Sequence, residues 1–511
     1  MAPPSIPLEP FQASRGAGRA CAYRRGAPPP AFPCPIGSAT AKQARPAAAP
    51  AGGDSRMVYL IASIAGIAGL LFGFDEGVIA GALHLLRAEF GISPLAEGIM
   101  TATVPFGAVG GALIAGWLAG PLGRRTLLLG AAALFVVGAL LSSLAGSLVT
   151  VCIARLLLGI AIGVAAMVAP LYISETAPAR IRGMLVSIYQ LAITLGILGA
   201  YLVGYAFSES WRTMFATGMV PGLILLIGVA ILSDTPRWLV LRGRREEARS
   251  VIAKNQGLAI EDGEVSAELA AIEAAAQEDR SQGGWRELLG PTVRPALIVG
   301  MGLFLLQQLS GINAVIYFAP TVFRLSGFDN TSTQMLATVG IGIVNVLMTV
   351  VAMGLIDRIG RRRLMFIGFA GAAFSLGLIA VAAGTGSSDL QALALVGLVL
   401  YIASFAVSIG PLPWVMMSEI FPLHLRGPGM SIASITNWVF NFIVVLTFPV
   451  LVNAIGLAGV FGIYALVCVG GLLFTARLVP ETSQISLEEI ERHLKAGKPF
   501  SALAARAANP A

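Results

Sequence analysis

A run of neutral polar residues lies inside an apolar segment and sets the first expectation about chemistry. The segment covers about residues 295–320, long enough to cross a bilayer of roughly 30 Å at about 1.5 Å per residue. Its polar residues are Gln307, Gln308, Ser310, Asn313 and Tyr317. Because an unpaired amide is costly in lipid, these side chains must face protein, water or a ligand. Since all are neutral, they favour an uncharged polyhydroxyl ligand over an ion.

A single helical face cannot hold all of these side chains. At 100° per residue, Gln308 and Asn313 lie about 140° apart around a helix. Gly311 stands between them, and glycine tolerates backbone conformations that end a helix. We therefore predict a break at Gly311 that turns both amides toward one cavity.

Other apolar segments carry polar or aromatic side chains that would complete such a cavity. They are Gln190 and Thr194, Asn345, Asn437 and Asn441, and Trp414 beside two prolines. Prolines break a helix, and a flat indole beside several amides suits a sugar ring. Each amide alone is also explained as a contact between helices, which we favour for Thr194 and Asn441. Without Asn441, the six remaining amides and Trp414 together predict a lined cavity. These amides are Gln190, Gln307, Gln308, Asn313, Asn345 and Asn437.

Three charged residues stand inside the apolar segments of the first half. The first segment holds Asp75 and Glu76, and the fourth holds Arg155 at a depth similar to that of Asp75. Because a charge near the midplane costs roughly 2.5–3.5 kcal/mol or more, we predict that Asp75 and Arg155 pair. The pair is either a static salt bridge or a protonation switch, in which protonating Asp75 frees Arg155. Glu76 is either a second titrating group or, as we expect, a residue at the mouth of its segment.

The composition is that of a membrane protein. The 511 residues are 56% hydrophobic and 12% charged, with a mean hydropathy of +0.81, whereas soluble proteins carry roughly 25% charged residues. The formal charge of +7 is not a nucleic-acid signature, because residues 1–56 hold seven basic and two acidic residues and the remainder lies in loops. The four cysteines lie far apart, which indicates neither a metal site nor a disulfide framework. No plausible catalytic cluster occurs, so we expect neither an enzyme nor a cofactor.

Twelve apolar segments predict an all-α membrane protein with twelve transmembrane helices. They cover about 58–80, 96–119, 126–146, 148–170, 184–206, 212–232, 294–318, 334–356, 362–384, 391–415, 428–450 and 455–478. Arginine-rich loops fall on one side, which places both termini in the cytoplasm. The expected divisions are a disordered tail (1–56), a six-helix half (57–232), a cytoplasmic helical linker (233–293), a second six-helix half (294–478) and a cytoplasmic tail (479–511). For the first tail, a transit peptide and an over-long N-terminus before Met57 both remain open.

The two halves repeat the same motifs in the same order. Ser174-Glu175-x-x-Pro178-x-x-x-Arg182-Gly183 recurs from Ser418 to Gly427, Gly123-Arg124-Arg125 recurs from Gly360 to Arg362, and Asp234-Thr235 is echoed by Glu481-Thr482. Offsets of 237 to 247 residues indicate a duplicated six-span unit, which is a transporter architecture with the site between the halves.

Charged residues in these repeated loops form a third candidate set. They are Arg124, Glu175, Arg182, Asp357, Arg361, Glu419 and Arg426. Matched acid–base pairs at equivalent loops would lock the inner face shut in one conformation. Topology signalling alone explains the arginines but not Glu175 and Glu419.

These strings resemble the sugar porters of the major facilitator superfamily over about residues 57–485. The resemblance rests on GFDEGVIAGAL (73–83), PLYISETAPARIRG (170–183), DTPRWL (234–239), QQLSGINAVIYFAP (307–320), DRIGRR (357–362), GPLPWVMMSEIFP (410–422) and PET (480–482). The chain looks most like bacterial proton–sugar symporters of the galactose, xylose and arabinose type, and then like facilitative glucose transporters.

The resemblance implies a role for each matching residue. Sugar contacts would fall on Gln190, Gln307, Gln308, Asn313, Asn345, Trp414 and Asn437, with Tyr317 as an extracellular gate. Asp75 would be the proton-coupling carboxylate and Arg155 its partner, while the cytoplasmic pairs would stabilise an outward-facing state. The sequence departs from the family's pattern in three places. The first-half loop lacks the Asp-Arg found at 357–358, and Ala406 replaces a glutamate that some facilitators carry. Span six has no carboxylate, although some symporters carry one there.

We therefore expect a monomeric, proton-coupled monosaccharide symporter of the plasma membrane that works by alternating access. The ligands would be a sugar and protons, with the lipid bilayer around the protein and no nucleic acid. The alternatives are a facilitative uniporter, in which Asp75 is purely structural, and a transporter-like sugar sensor, a class that usually has long cytoplasmic extensions. Hexoses, pentoses and inositols are all recognised by similar amides, so the sequence does not identify the sugar.

Overall fold

The computed structural model describes residues 56–177, 182–281, 288–290, 293–386, 389–421 and 425–483, with 485 and 489. Its regular elements are helices, and no strand occurs among the described residues. Within the described ranges, eleven helices are long and apolar enough to cross a membrane. The last of them, Pro428–Arg477, contains two spans, because Gly456 inside it adopts φ 69° and ψ 177°. The twelve predicted spans are therefore present, whereas the predicted tail 1–56 lies almost entirely outside the described residues.

Seven helices build the first six spans. They are α1 (Arg56–Phe90), α2 (Pro94–Leu122), α3 (Arg124–Ser143), α4 (Leu148–Thr176), α5 (Arg182–Ala206), α6 (Trp211–Thr217) and α7 (Met219–Ile231). Serine side chains cap three of the helix starts, since Ser93, Ser147 and Ser210 each accept a hydrogen bond from a backbone N–H of the first turn. Span six consists of α6 and α7, which meet at Gly218.

Helix α1 lies directly against α5 because glycines line the contact. Four glycines of α1 follow one another at a spacing of four residues, namely Gly69, Gly73, Gly77 and Gly81. A Cβ at Gly73 would overlap the carbonyl oxygen of Ile193, and one at Gly77 would lie 2.7 Å from the Cβ of Ala200. Small residues allow this close approach of two backbones in a membrane. The glycine ridge thereby fixes the rotation of α1 and the directions of its two carboxyl groups.

Among the described residues, three helices follow the first six spans. They are α8 (Pro236–Leu241), α9 (Arg245–Gln256) and α10 (Gly263–Ser281). Leu239, Ile252 and Leu269 are buried in a small core of their own. The Trp238 indole nitrogen donates to the carbonyl of Gly120 at 2.7 Å, which attaches this group to the end of α2.

The last six spans contain two broken helices. Their elements are α11 (Arg294–Leu309), α12 (Ile312–Leu325), α13 (Thr331–Ile359), α14 (Arg361–Thr385), α15 (Leu390–Ser404), a π-helical turn (Phe405–Ile409), α16 (Leu412–Ile420) and α17 (Arg426–Arg477). Span seven is interrupted between α11 and α12, and span ten is interrupted between α15 and α16. Broken spans place backbone groups and side chains in the interior, where a site can form.

Several helices extend beyond the apolar segments that predicted them. Helix α1 ends at Phe90 and α12 at Leu325, ten and seven residues beyond the ends predicted at 80 and 318. Backbone hydrogen bonds continue a helix into its polar flank, so an apolar segment marks only the part in lipid. The expected position of Glu76 at the mouth of its span is therefore wrong, because Glu76 lies mid-helix and is only 4% exposed.

Candidate functional site

The predicted break at Gly311 is present. Helix α11 ends at Leu309, α12 begins at Ile312, and Gly311 between them adopts φ 88° and ψ 14°. This left-handed conformation favours glycine. A Cβ at Gly311 would also overlap the ring of Tyr464 on α17. Both the backbone and the packing therefore require glycine here.

We expect Gly311→Ala to lower the melting temperature of the protein. The left-handed backbone costs about 1–3 kcal/mol for a residue with a Cβ, and displacing the Tyr464 ring adds to this. Gly340→Ala on α13 is the matched control, because a Cβ there meets no atom within 4 Å. Thermal unfolding in detergent compares the two variants, and equal melting temperatures would contradict the expectation.

Three amides form one hydrogen-bonded chain across the break. The Nδ2 of Asn313 donates to the Oε1 of Gln308 at 2.7 Å, and the Nε2 of Gln308 donates to the Oδ1 of Asn437 at 2.6 Å. All three side chains are buried, and they come from α12, α11 and α17. The chain ends in the Oδ1 of Asn313 and the Nδ2 of Asn437. An acceptor at one end and a donor at the other match hydroxyl groups, which both donate and accept.

Gln307 holds the break in span ten. Its Nε2 donates to the carbonyl oxygens of Ile409 and Gly410, both at 2.8 Å. Pro413 has no N–H to donate to the carbonyl of Ile409, four residues earlier, and the break interrupts the helical hydrogen bonds here, so these carbonyls need another donor inside a membrane. After the break, the half-buried Trp414 lies edge-on to Phe304, with ring centroids 4.7 Å apart. Gln307 is thus part of the structure that positions Trp414.

The remaining predicted sugar contacts lie outside the hydrogen-bonded amide chain. Gln190 is half-buried on α5 and Asn345 is buried on α13, and no hydrogen bond between described residues joins either of them to Gln308. Tyr317 follows Asn313 by one turn on the same face of α12. It is fully buried, and its hydroxyl has no hydrogen-bond partner within the described part of the chain. Thr194 donates to the carbonyl of Leu191 at 2.9 Å, within its own helix.

Two polar side chains of α17 lie next to this site, and sequence reasoning did not assign them to it. Trp438 and Asn441 are each 1% exposed. The Trp438 ring lies 5.2 Å from that of Phe72 on α1. Among the described residues, neither the indole nitrogen of Trp438 nor the Oδ1 of Asn441 has a hydrogen-bond partner. The four-residue spacing of Asn437 and Asn441 was the available signal, whereas nothing in the sequence distinguishes Trp438 from a core residue.

Asp75 and Arg155 form the expected ion pair. The Oδ2 of Asp75 lies 3.5 Å from the Nη2 of Arg155, and the two side chains are 2% and 0% exposed. Within the described chain, neither that oxygen nor any guanidinium nitrogen has a hydrogen-bond partner. The guanidinium carbon lies 5.9 Å from the ring centroid of Phe215. Removing one charge of such a buried pair leaves the other uncompensated, at a cost of about 3–5 kcal/mol. The pair is therefore a sensitive place for a proton to act.

The two halves touch on the face away from the arginine-rich loops, here called the outer face. Pro320 has no N–H to donate to the carbonyl of Ile316, and the Tyr201 hydroxyl of α5 donates to that carbonyl at 2.9 Å. Arg87 at the end of α1 pairs with Glu97 and lies 3.4 Å from the Thr321 hydroxyl of α12. The outer ends of α1, α5 and α12 are therefore closed over the amide chain.

The arginine-rich face of the first half carries a cluster around Glu175. Arg124 pairs with the Oε1 of Glu175 at 2.8 Å, and the hydroxyl of Thr235 donates to its Oε2. The backbone N–H of Arg124 donates to the Oδ1 of Asp234 at 3.1 Å. Hydrogen bonds therefore join the repeated Asp-Thr motif to the repeated Arg and Glu motifs.

The second half carries an equivalent cluster around Glu419. Arg361 pairs with Glu419 at 2.9 Å, Thr482 donates to Glu419, and the backbone N–H of Arg361 donates to Glu481 at 2.9 Å. The side chains of Arg182, Asp357 and Arg426 lie outside the described part of the structure. Each of the two described pairs joins residues of its own half. A lock between the halves is therefore not among the contacts of the described residues.

Known proteins share this architecture over most of its length. The sequence matches the Sugar (and other) transporter family over residues 61–494. It is 42% identical over 450 residues to the galactose-proton symporter of Escherichia coli (strain K12), which covers 87% of this chain and 96% of that one. It is 40% identical over 438 residues to the D-xylose transporter of Levilactobacillus brevis, covering 84% and 94% of the two chains.

A solved structure extends the similarity to three dimensions. The major facilitator superfamily proton:xylose symporter XylE from E. coli, bound to 6-bromo-6-deoxy-D-glucose, superposes with a TM-score of 0.72 at 32% identity. The superposition covers 86% of this chain and 99% of that one. The chain is thus a multi-pass membrane protein with the twelve-helix major facilitator fold, and it belongs to the sugar transporter family.

Proposed function

We propose that this protein is a proton-coupled monosaccharide symporter of the plasma membrane that works by alternating access. The arginine-rich face and both termini lie in the cytoplasm, in accord with the positive-inside rule. The observation that carries the proposal is a buried ion pair, Asp75 with Arg155, separate from an uncharged chain of amides. The amides recognise a neutral ligand, while the ion pair offers a carboxylate that can bind a proton.

The sugar binds at the amide chain between the halves. The acceptor end at Asn313 and the donor end at Asn437 hydrogen-bond to its hydroxyl groups, and Trp414 packs against the ring. Gln190 and Asn345 extend the polar lining from α5 and α13, and Gln307 supports it from α11. The relatives are named for a hexose and a pentose, which supports a monosaccharide substrate.

Proton binding to Asp75 weakens its attraction to Arg155 and so changes how α1 and α4 hold each other. With the carboxyl neutral, α1 and α12 close at the outer face, and Tyr317 shields the sugar from the outer solution. Opening of the arginine-rich face then releases sugar and proton to the cytoplasm. The proton gradient thereby drives sugar uptake, because the loaded protein closes most readily when Asp75 carries a proton.

The clusters of Glu175 and Glu419 control the cytoplasmic face. Each holds the ends of its own half in a fixed shape, through Arg124 in one and Arg361 in the other. Together with Arg182, Asp357 and Arg426, they stabilise the outward-facing state, in which the cytoplasmic ends of the halves meet.

Uptake of labelled sugars by transport-deficient cells tests the proposal. A panel of hexoses, pentoses and inositols is supplied with and without a protonophore. We expect at least one monosaccharide to accumulate above its outside concentration, and the protonophore to remove that accumulation. Equilibration that is insensitive to the protonophore would instead indicate a uniporter, with Asp75 and Arg155 as a static pair.

A further inference from the structure

Glu76 is a buried carboxyl on the side of α1 that faces the second half. It follows Phe72 by four residues, so both side chains lie on the same face of the helix. The Phe72 ring contacts Trp438 of α17, with centroids 5.2 Å apart. Asp75, one residue away, points about 100° around the helix, toward Arg155 of α4. Adjacent carboxyls on α1 therefore face two different parts of the interior.

The charges around Glu76 do not balance if both carboxyls are ionised. The titratable groups near Glu76 include Asp75 on its own helix, Tyr189 and Tyr201 on α5, and Tyr317 on α12. Arg155 of α4 forms its ion pair with the neighbouring Asp75. None of the ion pairs between described residues includes Glu76. With that cation paired to Asp75, the buried Glu76 carboxyl holds a proton, because an unpaired buried charge is very unfavourable.

The contacts that close the outer face lie between Glu76 and the outer end of α1, where Arg87 is eleven residues further along the helix. Tyr317 of α12 is fully buried, and its hydroxyl has no partner in the described chain. Above it, Tyr201 bonds to the Ile316 carbonyl and Arg87 reaches Thr321. If these contacts separate, water reaches Glu76, and a carboxyl in water is ionised at neutral pH.

We propose that Glu76 is a second proton-binding residue, which takes up a proton from the outer solution whenever the outer face closes over the sugar. The proton passes from the outer solution to the Glu76 carboxylate and returns to that solution when the face reopens. Asp75 carries the proton that drives transport, while Glu76 makes closure depend on external pH. The inference rests on the proposed alternating access and adds a proton to one of its steps.

Sugar exchange across right-side-out vesicles tests this inference, because exchange requires closure but no net proton movement. The apparent outer affinity for the transported sugar is measured between outer pH 5.5 and 8. If both carboxyls must be protonated for closure, the logarithm of the half-saturating sugar concentration rises with pH with a slope approaching about two. In Glu76→Gln the slope falls to about one, since only Asp75 still takes up a proton.

His84 supplies the matched control, because it is the histidine on the outer part of α1 and histidine titrates near neutral pH. We expect His84→Gln to retain the wild-type slope. A wild-type slope of one or less would overturn the inference even if Glu76→Gln does not fold, and so would an equal slope in wild type and Glu76→Gln. Lack of uphill uptake by the wild type would overturn the proposed symport instead, so the two failures are distinguishable.

Discussion

Replacing Asp75 by Asn is expected to abolish uphill sugar accumulation while sugar exchange continues. The amide has nearly the same shape but binds no proton, so the loaded protein closes without one and the proton gradient no longer drives uptake. The steady-state ratio of inside to outside sugar should fall to about one. Exchange should remain within about tenfold of wild type, because neutral Asn resembles the protonated state.

Accumulation and exchange are measured on the same vesicles, so that loss of folded protein is not mistaken for loss of coupling. Glu89→Gln is the matched control, since Glu89 lies on the same helix but is exposed and pairs with Arg212 at the outer end. This control should accumulate sugar as wild type does. Undiminished accumulation by Asp75→Asn would show that Asp75 is not the coupling residue.

Replacing Gln308 by Leu is expected to cause the largest loss of sugar affinity. Gln308 is the central member of the amide chain, and its loss leaves the Nδ2 of Asn313 and the Oδ1 of Asn437 without their partners. Each unsatisfied buried group costs about 1–3 kcal/mol, and both amides lose the orientation that they present to the sugar. We expect the affinity to fall about 100-fold to 1,000-fold.

Binding of the transported sugar to purified protein, measured by calorimetry, reports this loss. Gln391→Leu is the control, because Gln391 is exposed at the start of α15. It should bind as wild type does. A Gln308→Leu protein that binds within threefold of wild type would show that the amide chain is structural and does not bind the sugar.

The amide chain was predictable because its signal is local. Polar residues in an apolar segment must be satisfied inside the protein, and Gly311 was the residue between them that could turn the chain. The pairing of Asp75 with Arg155 followed from similar depth and opposite charge. Both arguments need only helix geometry and the cost of burying polar groups, which are the same in every membrane protein.

The features that were missed depend on packing between distant segments. The apolar segment of α1 ends near residue 80, but the helix ends at Phe90, so Glu76 lies mid-helix and is buried rather than exposed. The bonds from Gln307 to the carbonyls of span ten require the exact fit of two broken helices. Local patterns do not contain such information.

For the charged loops too, the sequence did not predict which residues contact each other. The repeated motifs correctly indicated that equivalent residues recur in both halves. The partners of Glu175 and Glu419 include Thr235 and Thr482, which stand about 60 residues away in sequence. A repeated motif shows that two loops are equivalent, but it does not show which residues are in contact in each loop.

Sugar-driven proton movement in proteoliposomes tests the central claim most directly. Purified protein is placed in vesicles without a pH gradient, and the transported sugar is added outside in a weakly buffered medium. The account predicts that the outer medium becomes more alkaline as sugar enters, that a protonophore removes this change, and that Asp75→Asn shows none. Sugar entry into wild-type vesicles with no change in outer pH would contradict it.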